Sequence, residues 1–154
     1  MKISIIFDSL YGNTEKIAHT IEEVLAKGNE VEVKKVTDAK LEDLQKKDLV
    51  IAGTPTHMGN PSKAMQVLLN MVPKDSLKGS KFAVFDTSMA TFSQNFFMKG
   101  VYKFFGYSAP RMANTLEKKG AEIASVQSFF VMGIKTPLKD DEIERAKKWA
   151  KGLV

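Results

Sequence analysis

Five short apolar segments, each followed by glycine, aspartate or hydroxyl residues, limit how this chain can fold more than any other feature. They lie at residues 3–7, 31–36, 49–52, 82–85 and 129–132. Between them lie stretches with apolar residues at helical spacing, as in residues 14–27. Short apolar runs that alternate with helices are typical of parallel strands buried on both faces and joined by right-handed crossovers. We therefore predict one α/β domain over residues 1–154, a doubly wound five-stranded parallel sheet with helices on both faces.

Proline and glycine residues indicate where the other helices begin and end. Pro61 is expected to open a helix that ends by Pro73, and Pro110 to open another that ends at Gly120. Residues 136–137, a Thr-Pro pair, are expected to cap the last helix. These positions place each helix after a predicted strand, as a doubly wound fold requires.

The chain has no cysteine and two histidines, His19 and His57. Disulfides, thiolate zinc sites, cysteine-held iron–sulfur clusters and cysteine nucleophiles are therefore excluded, and we expect no metal site. Any redox chemistry must come from a bound organic cofactor. No apolar run approaches the ~18 residues that a membrane span needs, and Asp8 ends the first apolar run too early for a signal peptide. We therefore expect a cytoplasmic protein with no membrane span.

Positive charge is concentrated in the second half of the chain. The net charge is +5 overall, −1 over residues 1–77 and +6 over residues 78–154. Such a field favours acidic partners. A nucleic-acid-binding module is the other interpretation. Arg111 and Arg145 are the only arginines, however, and many of the lysines fall on predicted helix faces, so we expect no nucleic acid partner.

The loop after the first strand has the composition of a phosphate site. In a sheet of strand order 2-1-3-4-5, ligands bind beyond the carboxyl ends of strands 1 and 3, where the order reverses. The first of these loops combines the hydroxyls of Ser9 and Thr14, the amide of Asn13 and the flexible Gly12 with the free N–H groups of a helix start. It lacks the P-loop and Rossmann glycine patterns, which argues against nucleoside triphosphates and dinucleotides. An ordinary capped helix start is the alternative.

The loop after the third strand, residues 53–61, is also unusual. It is polar, longer than a strand-to-helix connection needs, and contains Pro55 and Pro61. A plain connecting loop is the alternative. Because both loops lie at the expected reversal of strand order, we interpret them together as one ligand site.

A resemblance to the flavodoxin family is clear in the first loop, at residues 5–21, which read Ile-Ile-Phe-Asp-Ser-Leu-Tyr-Gly-Asn-Thr-Glu-Lys-Ile-Ala-His-Thr-Ile. They resemble the flavodoxin FMN-phosphate signature. Residues 54–60 are similar to the loop that holds the isoalloxazine ring, with a turn at 58–60 like the Met-Gly-polar turn of short-chain flavodoxins. Residues 85–88 lie where the third flavin-contacting loop is expected to begin. The resemblance covers the whole chain in order but is specific only in the first two loops.

The resemblance implies a flavodoxin-like fold and an FMN-binding electron-transfer protein with no catalytic residue of its own. Around the phosphate, the expected cofactor-binding residues are Ser9, Leu10, Tyr11, Gly12, Asn13 and Thr14. Around the ring, they are Pro55, Thr56, His57, Met58, Gly59 and Asn60 on one side and Thr87, Ser88 and Met89 on the other. The implied partner is a redox protein, and the basic charge predicts an acidic one such as a ferredoxin-like donor or a reductase.

Two other functions share this topology. A response-regulator receiver needs paired acids after strand 1 and a phosphoacceptor Asp after strand 3, but Asp8 stands alone and strand 3 ends in Gly53 and Thr54. A flavodoxin-fold NAD(P)H:quinone oxidoreductase stays open as the alternative, since residues 53–60 also resemble that subgroup. The minimal length of the chain favours the electron carrier.

The sequence departs from many flavodoxins in its basic charge and in its ring loop. His57 and Met58 stand where many flavodoxins have a Trp, so the aromatic side chain that stacks on the flavin is not identified. Residues 88–107 contain seven of the 14 aromatic residues, together with Lys99 and Lys103. This aromatic segment is expected to form a small satellite core, or else an apolar wall beside the flavin.

Overall fold

The structure is a computed structural model that describes residues 1–89, 106–133 and 135–154. Within these ranges the chain forms five strands, four α-helices and one short 3-10 helix. In chain order they are β1 (Lys2–Phe7), α1 (Asn13–Leu25), β2 (Glu30–Lys35), the 3-10 helix (Leu41–Leu44), β3 (Leu49–Pro55), α2 (Lys63–Met71), β4 (Lys81–Met89), α3 (Ser108–Glu117), β5 (Glu122–Val131) and α4 (Glu142–Lys151). None of the helices in these ranges is long and apolar enough to cross a membrane.

The five strands pair in parallel in the order β2-β1-β3-β4-β5, which confirms the predicted sheet. β1 lies between β2 and β3, so the strand order reverses there. The loops after β1 and β3 therefore leave the same edge of the sheet at the position where doubly wound folds bind their ligands.

Helices cover both faces of the sheet because successive strand residues point to opposite sides. One core cluster joins α1 and α4 to the sheet, with Ile17, Ala18, Ile21, Leu25, Ala146 and Ala150 against Ile3, Ile5, Phe7, Leu49, Ile51, Ala83, Phe85 and Phe129. The other joins α2 and α3 to the opposite face, with Met65, Leu68, Leu69, Ala109, Met112, Ala113 and Leu116 against Ile6, Val50, Ala52, Phe82 and Val84. These two clusters hold both neighbouring loops on a rigid sheet edge.

Near this edge, Gly53 of β3 packs closely against the ring of Phe85 on β4. The two residues are register partners in the parallel ladder. A Cβ atom on Gly53 would lie 2.1 Å from Cζ of the buried Phe85 ring. The ring therefore occupies the space that any side chain at position 53 would need.

Three strands are clearly longer than predicted, and the differences affect the candidate site. β3 continues to Pro55, so residues 53–55 lie in the strand and not in the loop expected at 53–61. β4 continues to Met89, so residues 86–88 lie in the strand and not at the start of a loop as expected. β5 begins at Glu122 and not at residue 129. β4 and β5 pair along their full length, from Lys81 opposite Glu122 to Met89 opposite Val131. The added segments of β4 and β5 contain polar residues, so a search for apolar runs does not detect them.

The helix starts also differ from the prediction. α2 begins at Lys63, because the hydroxyl of Ser62 caps it by accepting the Met65 N–H at 3.3 Å. Pro61 therefore precedes the helix and does not open it. The structure places Pro110 inside the first turn of α3, which begins at Ser108.

The expected cap of the last helix at residues 136–137 is wrong. Leu138, just after this pair, forms a bridge to Val131 at the end of β5. α4 begins at Glu142, after Asp141 with a φ of 69°. The chain after β5 therefore stays beside the sheet edge for several residues before it enters the helix.

Candidate functional site

The loop after β1 ends at an open helix N-terminus. Gly12 precedes α1 with a φ of 88°, and no side chain of the described residues caps the helix. The N–H of Gly12 donates to Ser9 Oγ at 3.1 Å, and the first helical bond runs from the Lys16 N–H to the Gly12 carbonyl. A Cβ on Gly12 would meet nothing within 4 Å. Without a side-chain cap, the N–H groups of the first turn and the positive end of the helix dipole are available to an anion.

Two hydrogen bonds join this loop to other parts of the sheet edge. The hydroxyl oxygens of Thr14 and Thr87 lie 2.8 Å apart, and both residues are buried. Asn13 Nδ2 donates to the Thr136 carbonyl at 2.7 Å. The structure thus brings three predicted site residues together and adds Thr136, which the sequence analysis assigned to a helix cap.

The exposed part of the first loop carries apolar side chains and a nearby cation. Leu10 and Tyr11 are 65% and 55% exposed. The ammonium of Lys135 lies 5.6 Å from the centre of the Tyr11 ring, within the range of a cation–π contact. The sequence predicted a cradle of dipoles and hydroxyls alone, whereas the structure places a lysine beside it.

The loop after β3 contains a tight turn at residues 57–60. His57 and Asn60 close it with two backbone hydrogen bonds of 3.0 and 2.9 Å. Met58 and Gly59 have φ values of 50° and 74°, the signs of a type I′ turn. Glycine adopts this conformation freely, whereas a methionine there is strained. Asn60 stabilises the turn, because its Nδ2 donates to the Met58 carbonyl at 3.2 Å and its Oδ1 accepts from Arg111 at 2.7 Å.

Thr56 connects the same loop to β4 and α3. Its N–H donates to the Thr87 carbonyl at 2.9 Å. Its hydroxyl lies 2.7 Å from the Ser108 hydroxyl and accepts the Ser108 N–H at 3.2 Å. Pro55, at the end of β3, is the register partner of Thr87. The two predicted ring-binding segments therefore adjoin each other at the sheet edge.

The predicted residues of the third segment differ in their exposure. Thr87 and Ser88 are buried, and Met89 is half-buried at the end of β4. The Ser88 hydroxyl donates to Asp86 at 3.0 Å, so it is turned toward the protein interior. The aromatic segment falls largely on residues 90–105, which lie outside the described residues, as do Lys99 and Lys103. At its described end, Tyr107 packs edge-on against Phe130 with 6.4 Å between ring centres.

Asp86 is a fully buried carboxylate at this edge, which the sequence analysis did not include in the site. Burial raises the pKa of its carboxyl above the ordinary value, although hydrogen bonds from Ala109, Ser128, Ser88 and Thr56 act in the opposite direction. Burial and the neighbouring Asp86 charge also raise the pKa of the Tyr107 phenol. The polar neighbours of Asp86 from the β3, β5 and α3 regions come from distant parts of the sequence, so no local pattern could have identified this carboxylate.

The sequence profile of the flavodoxin family matches residues 5–149. The chain belongs to the flavodoxin family. A flavodoxin of Clostridium saccharobutylicum is 36% identical over 92 residues, a region that spans 57% of this chain and 56% of that protein. Membership of this family agrees with the expected function of an FMN-binding electron-transfer protein.

Solved structures of flavodoxins have the same fold. The Streptococcus pneumoniae TIGR4 flavodoxin has a TM-score of 0.76 at 23% identity, with 99% of this chain and 97% of that chain covered. Oxidised flavodoxin 1 from Bacillus cereus has a TM-score of 0.77 at 21% identity, with the same coverage. At these identities the likeness shows the flavodoxin fold and nothing finer.

Proposed function

We propose that this chain binds FMN with its phosphate at the N-terminus of α1 and its ring beside residues 55–60 and 87–89, and that it carries electrons between redox proteins. The observation that carries this proposal is the open start of α1 at the reversal of strand order, next to the hydroxyls of Ser9 and Thr14. A phosphate monoester is the ligand that such a helix end binds best. Residues 1–154 act as one domain in this proposal.

The donor set around this helix end fits a phosphate. Ser9 Oγ accepts the Gly12 N–H and keeps its own proton to donate. The Thr14 and Thr87 hydroxyls are hydrogen-bonded, and either can be the donor. When Thr87 donates to Thr14, the proton of the Thr14 hydroxyl is available to the ligand. The backbone N–H groups of the first turn add donors that need no rearrangement.

The ring side of the proposed site contains one tight turn, in which the Gly59 peptide can still reorient. When bound, FMN supplies the reversible uptake and release of electrons. The type I′ turn at residues 57–60 and the Thr56–Thr87 backbone bond fix the wall against which the ring would lie. Gly59, with no Cβ, lets the turn peptide reorient at low cost, so its carbonyl can accept a hydrogen bond from the ring.

We propose an acidic redox partner that contacts these same two loops. Leu10, Tyr11 and Met58 present exposed apolar side chains there, and Lys135 and Arg111 each lie beside one of the loops. An apolar centre with cations near it favours contact with an acidic, partly apolar surface and speeds the encounter. Location in the cytoplasm stays a prediction.

The test of this function is to purify the protein and identify the chromophore that heat releases. We expect FMN, and we expect the reduced protein to pass electrons to an acidic acceptor protein of the ferredoxin type. Steady turnover of quinone with NADPH would instead support the quinone oxidoreductase. A colourless protein that takes up no added FMN would contradict the proposal.

A further inference from the structure

Asp86 lies in the carboxyl half of β4, between two neighbouring strands. Its register partners are Thr54 on β3 and Ser128 on β5. Asp86 has no solvent-accessible surface. It directly precedes Thr87, a residue of the proposed flavin site. A buried charge in this position needs either a cation or several hydrogen bonds.

Neutral donors surround the carboxylate. The backbone N–H of Ala109 donates to Oδ2 at 2.8 Å, and the Ser88 hydroxyl donates to Oδ1 at 3.0 Å. The hydroxyls of Ser128 and Thr56 also bond to it. These four donors oppose the effect of burial, which raises the pKa of Asp86, and they stabilise the ionised form without neutralising it. Above this raised pKa, the charge acts on its surroundings through a medium of low dielectric constant.

The same contacts hold the start of α3. No cap comes from the side chain of Tyr107, the residue before the helix. Instead, Asp86 accepts the Ala109 N–H and Thr56 accepts the Ser108 N–H. Thr56 in turn donates its backbone N–H to the Thr87 carbonyl. Asp86 therefore fixes Thr56, a proposed ring-binding residue, through its own hydrogen bond and through the helix that both residues cap.

We propose that Asp86 is a positioning residue of the flavin site, which holds Thr56 and the start of α3 in place and whose negative charge makes the bound flavin harder to reduce. This inference rests on the proposed function. Reduction adds electrons to the flavin, and a nearby unneutralised carboxylate opposes added negative charge.

Coupling of this kind acts in both directions. If the charge of Asp86 opposes reduction, reduction of the flavin must raise the pKa of Asp86 by the same free energy. The titratable groups at the start of α3 are Tyr107, just before the helix, and Arg111, in its first turn. Burial and the Asp86 charge raise the pKa of Tyr107, and the exposed Arg111 side chain donates to Asn60. The groups that face it from β3, from the loop after β3 and from β5 are the neutral Thr54, Thr56 and Ser128.

The Asp86→Asn substitution removes the negative charge but keeps the size and shape of the side chain. The amide oxygen can keep the Ala109 N–H bond, and the amide NH₂ can donate to the Ser88 hydroxyl, which accepts as well as donates. At pH 8, spectroelectrochemical titration of the FMN-loaded variant should show two-electron reduction favoured about tenfold over wild type, about 30 mV. Asp86→Ala, which also removes the acceptor for the helix, should in addition weaken FMN binding.

Asp43→Asn is the matched control. Asp43 is also buried, but it bonds to Lys34 and to the Lys40 N–H near the 3-10 helix. Its loss should leave the flavin potential unchanged. An equal shift in Asp43→Asn and Asp86→Asn, or an unchanged potential in Asp86→Asn, would overturn the inference while the proposed function stands.

Wild-type protein provides a second test that does not depend on how the variant folds. The ¹³C resonance of the Asp86 carboxyl should titrate at higher pH in the reduced than in the oxidised FMN complex. The same pKa in both states would overturn the inference. Failure of the wild-type apoprotein to bind FMN would overturn the proposed function together with it.

Discussion

The hydroxyl oxygens of Thr14 and Thr87 lie 2.8 Å apart although 73 positions separate the two residues in the sequence. One hydroxyl belongs to the first turn of α1 and the other to the end of β4. Both residues are buried. This contact joins the proposed phosphate side of the site to its ring side.

Loss of either hydroxyl should destabilise the apoprotein. Thr14→Val and Thr87→Val each leave the other hydroxyl unsatisfied and should cost about 1–3 kcal/mol of unfolding free energy. The double variant should cost less than the sum, because no unpaired hydroxyl remains. Urea unfolding measures the free energy of unfolding of all three variants. Thr115→Val, which removes an exposed helical hydroxyl, is the control. Additive losses would show that the two hydroxyls do not interact.

The sequence predicts the sheet well because each of its five strands contains a continuous or alternating apolar run. It fails most clearly at the end of β4 and at the start of β5. Residues 86–88 are polar and resemble a loop, yet pairing with β5 keeps them in the strand. In β5, residues 122–128 lie in an edge strand and alternate in exposure, so no apolar run is visible there. Both errors arise because the prediction relied on hydrophobicity, whereas pairing with the neighbouring strand determines where these strands begin and end.

The sequence predicted the local features of the loop after β1, such as the helix start after Gly12, but not the distant contacts of the loop residues. Gly12 and the hydroxyls around it are adjacent in the sequence, so their role in a helix start is visible from spacing alone. The contacts of Asn13 with Thr136 and of Asn60 with Arg111 span 123 and 51 positions. Only the assembled sheet edge reveals such partners.

Gly53 should not tolerate even a methyl group. In Gly53→Ala, the new Cβ must displace the Phe85 ring, an overpacking change that costs typically about 1–3 kcal/mol. Thermal unfolding should show the loss, and Phe85→Leu in the same chain should recover part of it. Gly28→Ala is the control, since a Cβ there meets nothing within 4 Å. Equal stability of the two alanine variants would contradict the contact.

Charge reversal beside the first loop should slow electron transfer to an acidic protein. Lys135→Glu removes attraction at the proposed docking surface, so the second-order rate at low salt should fall severalfold. The difference should disappear at high ionic strength, because the Debye length falls to about 3 Å at 1 M salt. Lys27→Glu makes the same change in net charge beyond the other end of α1 and should leave the rate nearly unchanged. Equal slowing in both variants would reject a local docking role.

The most direct test of the account is to titrate the apoprotein with FMN and with riboflavin and to follow the quenching of flavin fluorescence. FMN should bind much more tightly, because only FMN places a phosphate at the open start of α1. Asn13→Ala with Thr14→Ala should weaken FMN far more than riboflavin. Thr20→Ala with Asn29→Ala, which removes the same residue types from backbone contacts elsewhere along α1 and just beyond it, should spare both ligands. Equal affinity of the wild type for FMN and riboflavin, or equal losses for both in the first double variant, would contradict a phosphate site at this helix end.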